Sequence, residues 1–114
     1  MILEVIIDYL NNSDLDAPAF GEIPKENCPE EFYIVELIGD PVVDQIETAT
    51  IAIRSYAQNM KRAADLSYDV DNLMRYGLIE LDYISGVKRN TIANWTDQST
   101  KQYRYQGVYV VTHY

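Results

Sequence analysis

The sequence predicts an α+β domain: an antiparallel or mixed sheet of about four to five strands, with an N-terminal helix and a long central helix packed on one side. Two stretches, one at the start and one after Asn59, repeat apolar residues at helical spacing. Others are rich in Val, Ile, Tyr and Phe, alternate along the chain and are bounded by Gly, Pro, Asn and Asp. Their order is helix, long connection, two strands, helix, three strands, with no internal repeat and no low-complexity tract. A chain of 114 residues holds one core. Residues 1–114 are therefore read as a single domain, with the N-terminal helix in 1–12, a long loop in 13–31 and the α+β core in 32–114.

In the first helix, expected from Ile2 to Leu10, the residues Ile2, Leu3, Ile6, Ile7 and Leu10 share a side, and Glu4 and Asp8 share the other. Val5 and Tyr9 widen the apolar stripe beyond the need of a surface helix, so two partners are expected to cover it. From Asn11 to Glu31 the texture turns to Asn, Ser, Asp, Pro and Gly, with Ala19 to Ile23 able to make a short extended piece before Pro24. Loops this long inside a compact domain usually serve a purpose, such as reaching a neighbouring subunit. Phe32 to Ile38 predicts a strand ended by Gly39-Asp40-Pro41. A polar loop through Val42, Val43 and Asp44 leads to its antiparallel partner, Thr48 to Ala57, in which Ile51 and Ile53 face one way and Thr50, Ala52 and Arg54 the other.

Asn59 is an N-cap, and Met60, Ala63, Ala64, Ser67, Val70, Leu73 and Met74 then follow helical spacing to Gly77, read as the C-cap. Three strands are expected after it: Ile79 to Ile84, Val87 to Trp95 and Tyr103 to His113. In the last, Tyr103, Tyr105, Gly107, Tyr109 and Val111 share a face, and Arg104, Gln106, Val108 and Val110 the opposite one. Both faces carry bulky groups, so each is expected to be at least partly covered.

Composition narrows the function. Eighteen acids against nine bases give a formal charge of −9, a field that repels phosphates and anionic membranes. No apolar run approaches the roughly 18 residues of a membrane span, and the first segment lacks the basic start and cleavage site of a secretory signal, which predicts a cytoplasmic origin. The lone Cys28 has no disulfide partner and no nearby His. The glycosylation patterns at Asn11 and Asn94 are without chemistry in that compartment. Catalysis would have to begin from the one histidine, His113, next to the carboxyl terminus, and the serines lack a nucleophile-elbow pattern. Asp14 with Asp16, and Asp69 with Asp71, lack the glycine and closing glutamate of a cation loop. The isolated glycines build no phosphate cradle. No enzyme activity, cofactor or metal is expected. The ten tyrosines could stack on single-stranded nucleic acid, but only Arg104 interleaves them, and packing at a core or a subunit contact explains them as well.

The strand Phe32 to Ile38 with its Gly39-Asp40 turn, the run from Ile51 to Asn59 entering an alanine-containing helix, and the closing Tyr103-Arg104-Tyr105 strand together resemble the small tail terminator, or tail completion, proteins of long-tailed bacteriophages and related prophages, which join head to tail. The resemblance covers residues 19–114. Tyr56-Ala57-Gln58-Asn59 matches the strand that ends in the helix cap, Ala63 and Ala64 match small residues facing the sheet, and Arg104-Tyr105 matches the arginine and aromatic of the last strand. Glu36 to Asp40 stands where many members carry an upstream arginine and a Gly-Gly turn. The resemblance implies a virion protein: a homo-oligomeric ring, usually a hexamer, that stops growth of the tail tube, contacts the tube protein and the head connector or stopper, and lets DNA pass. Ile6, Val42, Val43, Ile92 and Trp95 are then the expected subunit interface, and Asp40, Asp44, Glu47 and Asp97 the expected channel lining. The alternatives are another neck protein, such as a head completion factor, and, from a different class, an acidic DNA mimic that inhibits a basic protein.

Overall fold

A computed structural model describes residues 2–39, 42–43 and 46–114, and it shows the α+β architecture, with both helices on one side of a mixed sheet. Helix α1 spans Ile2–Asn11 and sinks Ile6 and Leu10 fully into the core, while Ile2, Leu3, Ile7 and Tyr9 pack at its margin. Strand β1, Ala19–Phe20, lies parallel to β2, Phe32–Gly39. The side chain of Asn11 fixes β1 in place: its amide donates to the Ala19 carbonyl at 3.0 Å and its carbonyl accepts from the Ala19 N–H at 2.8 Å, as a neighbouring strand would.

Strand β2 runs antiparallel to β4, Ile46–Ala57, with Val35 opposite Ile53 and Leu37 opposite Ile51. The region read as a polar loop contains the short strand β3, Val42–Val43, which folds back on β4, Val42 facing Glu47 and Val43 facing Ile46. Helix α2, Met60–Asn72, begins where Asn59 Oδ1 accepts from the Arg62 N–H at 2.8 Å. It continues as one π-helical segment, Leu73–Gly77, and a 3₁₀ turn, Leu78–Glu80. Strand β5, Ile84–Asn94, then forms a long hairpin with β6, Tyr103–His113, and β6 pairs with β4. The sheet order is β1-β2-β4-β6-β5, with β3 beside β4.

Two expectations are corrected here. Gly77 is no left-handed C-cap, since its φ is −100° and the chain keeps turning. The position is confined from outside, because a Cβ there would run into the Tyr9 hydroxyl of α1. The stretch Ile79 to Ile84 is no strand, so two strands follow the helix and not three. Val70, Met74 and Leu78 are buried and Leu81 is packed against them, which is a helical step and not alternation.

The core lies between the helices and one face of the sheet, where Tyr33, Val35, Ala49, Ile51, Ile53, Tyr109 and Val111 meet Leu66, Val70 and Met74. Tyr33 and Tyr109 bury large rings and still satisfy their hydroxyls, as the former donates to the Leu66 carbonyl at 2.9 Å and the latter to Asp71 at 3.0 Å. Gly107 is needed next to Tyr109, because a Cβ would come within 2.8 Å of its hydroxyl and 2.9 Å of its ring. The alternation expected for β4 and β6 is found as read, with Ile51, Ile53, Tyr109 and Val111 inward.

A candidate interaction surface on the open face of the sheet

Residues directly opposite in an antiparallel pair share a face. The register therefore places Phe32, Ile34 and Glu36 of β2, Arg54 and Tyr56 of β4, Arg104, Gln106, Val108 and Val110 of β6, and Lys88 and Thr91 of β5 together on the side away from the helices. Along one end of this face a row of rings and guanidiniums crosses the strands. Phe20 meets Phe32 edge to face at 6.5 Å, and Phe32 stacks on Tyr56 at 4.6 Å and 8°. Arg104 lies 5.9 Å from the Tyr56 ring and 4.4 Å from that of Trp95, and Arg54 lies 4.6 Å from the same indole. Trp95 keeps 43% of its surface in water.

The two arginines are held from behind. Arg54 donates to Glu36 at 2.6 Å and to Gln106 at 3.0 Å, and Arg104 donates to the Trp95 carbonyl at 2.8 Å and to Gln102 at 3.0 Å. Guanidiniums held beside an aromatic ring and hydrogen-bonded from behind lose less freedom when an acidic group arrives than free ones would. Among the described residues of this face, Arg54, Lys88 and Arg104 stand against the carboxylates of Glu36, which pairs with Arg54, and of Asp97 at the hairpin end, in a chain whose total is −9. Phe32, Ile34 and Tyr56 are themselves buried as a small second cluster with Phe20 against it, and Arg54 is largely covered, so what this face shows to water is the Trp95 ring with Arg104 and Lys88 around it.

A second polar cluster lies under the helix. Asp71 accepts from Tyr109 at 3.0 Å and Arg89 at 3.2 Å, and faces Arg75 at 3.4 Å. Its carboxylate is saturated by these donors and buried, so it ties α2 to the hairpin and is not placed to take a proton from a substrate. His113 lies 3.7 Å from Glu47. Among the described residues no three of His, Cys, Asp and Glu come together as metal ligands would, and no helix is long and apolar enough to cross a membrane.

The expected interface residues fare differently. Ile6 is corrected: it sits at the centre of the helix stripe and is 0% exposed, so it meets its own core and no neighbour. Ile92 faces the helix side, opposite Gly107, and is half-buried. Val42 and Val43 belong to the β3 turn. Trp95 is exposed on the open face. Of the expected channel acids, Asp40 and Asp44 lie outside the described residues. Glu47 and Asp97 stand at opposite ends of β6, since Glu47 pairs with His113 and Asp97 bridges to Gln102, and an eleven-residue strand separates them by roughly 30 Å. One subunit does not bring those two acids together. Asp97 is held below the usual carboxylate range, first by the Ser99 hydroxyl, which donates to it at 2.7 Å, so it caps its own turn. Phe20, Phe32, Tyr56 and Arg54 were not singled out for this site, and their signal is the register, which joins residues as far apart in the chain as Phe20 and Arg104.

No family model matches the chain, and no curated protein matches it.

Proposed function

We propose that this chain is a structural subunit that works by assembling with copies of itself, in the manner of the tail terminator proteins that it resembles, as a ring that ends the tail tube and joins it to the head connector. The observation that carries this reading is the open sheet face: among the described residues no helix packs over it, yet it presents Trp95, Val110 and a fixed pair of arginines. A face so equipped gains by being covered. The acidic total supports passage of DNA through a lumen without adhesion.

Electron microscopy of the protein mixed with tail tubes tests it. Rings of several times the 13.1 kDa subunit mass seated at tube ends are the expected result. Tubes that keep growing, with no protein at their ends, would contradict it, as would a lasting one-to-one complex with a basic protein.

A further inference from the structure

The helix side of the molecule carries the chemical complement of the open face. Asp65, Asp69, Asn72 and Tyr76 are exposed at steps of three to four residues along α2 and its π-helical continuation, with Tyr68 beside Asp69, and Glu80 extends the stripe. Tyr68 and Tyr76 are 52% and 64% exposed, high for rings on a folded surface. Lys61 answers Asp65 at one end, and at the other Arg75 reaches the buried Asp71 while its guanidinium lies 5.0 Å from the Tyr76 ring. The stripe keeps the carboxylates of Asp69 and Glu80 with the rings of Tyr68 and Tyr76, while the sheet's far side shows Arg104, Lys88 and the Trp95 ring.

We infer that the open sheet face of one copy receives the acidic α2 stripe of the next, with Arg54, Lys88, Arg104 and Trp95 on one side of the contact and Asp65, Tyr68, Asp69 and Tyr76 on the other. This rests on the assembly reading above and names the surfaces it uses. The two patches lie on opposite sides of one chain and differ from each other, so the contact is heterologous. A heterologous contact closes into a ring where its rotation divides a full turn and runs on as a filament where it does not, whereas a two-fold dimer would bring like patches together. Opposed charge sets which patches meet, and the rings supply area that is removed from water.

The test is a charge swap. Arg104→Glu places a carboxylate opposite Asp69, and Asp69→Lys places an ammonium opposite Arg104. Each variant alone is expected to lose the assembled mass, both on tail tubes and in solution, while keeping wild-type circular dichroism. An equal mixture of the two regains assembly by alternation, because the introduced carboxylate then meets the introduced ammonium at one junction and Arg104 meets Asp69 at the next. The double variant also regains it. Should Arg104→Glu fold poorly, Lys88→Glu, at an exposed site on the same face, repeats the first arm.

Wild-type rings that persist unchanged in both single variants would overturn this pairing of surfaces and leave the assembly reading intact. A wild type that stays at subunit mass even with tail tubes would overturn both. Binding of a single-stranded thymidine oligonucleotide, lost in Trp95→Ala, would show that the aromatic row serves nucleic acid, and would also overturn the pairing.

Discussion

Tyr33 and Tyr109 show how single residues set the pH range of the fold. Burial raises both phenols above their ordinary value of 10.0, and a nearby carboxylate adds to the rise, Asp69 for the first and Asp71 for the second. In the unfolded chain these phenols ionise near pH 10, but in the folded protein they stay protonated, so unfolding releases protons above that pH. The stability that they contribute is whole below pH 10 and declines as pH rises further, by about 1.4 kcal/mol per unit for each ring. Urea midpoints between pH 8 and 11 are expected to fall beyond pH 10, and Tyr33→Phe or Tyr109→Phe should flatten that fall by one proton each. Asp71 sets a different limit. Asp71→Asn leaves two guanidiniums facing a neutral amide, and because each keeps about a third of its surface in water the loss is about 2 kcal/mol, below that of a fully buried pair. Thermal unfolding should then fall by roughly 10 °C.

Among the elements, the long connection before β2 has little apolar burial to hold it beyond Ala17 and Leu15, and Arg62 of α2 fastens it. Its guanidinium binds Glu31 at 2.6 and 3.1 Å and Asp16 at 3.1 Å, so one side chain spans both ends of the segment. Arg62→Ala is expected to leave the fold intact and to speed tryptic cleavage after the exposed Lys25 several-fold, with high salt bringing the wild type closer to the variant. An unchanged cleavage rate would mean that the Asn11 bonds to Ala19 hold the loop alone. Elements with long periodicity were legible from sequence: both helices, the Asn59 cap, and the inward and outward sets of β4 and β6. Those that were not legible depend on something other than periodicity. Two-residue strands such as β1 and β3 are too short to show a pattern and are placed by partners distant in sequence. The residues 79–84 are apolar enough for a strand, and only their three- and four-residue steps from Met74 reveal the helical continuation. Trp95 and Arg104 could be picked out singly, but the row from Phe20 to Trp95 exists only once five strands are in register. Ile6 illustrates the converse, since the middle of an over-wide apolar stripe is where burial is greatest.

For the whole molecule two electrostatic effects oppose each other, and distance separates them. Each subunit carries a formal −9, so two approaching copies repel at long range, over roughly 30 Å in 0.01 M salt but only about 8 Å at 0.15 M. The attraction between the arginine face and the acidic stripe acts at contact, where ions screen it only weakly until the screening length shrinks to about 3 Å near 1 M. Association is therefore expected to quicken as salt rises from 0.01 to 0.15 M, while dissociation quickens only towards 1 M, so assembly is tightest at an intermediate concentration. Light scattering after rapid mixing measures the first arm and dilution of preformed rings the second. An association rate that fell steadily from the lowest salt would mean that the cationic face steers the encounter and outweighs the net charge, and Lys88→Glu would then reverse the trend. A dissociation rate indifferent to salt would instead assign the contact to its rings, Trp95 against Tyr68 and Tyr76, and not to its charges.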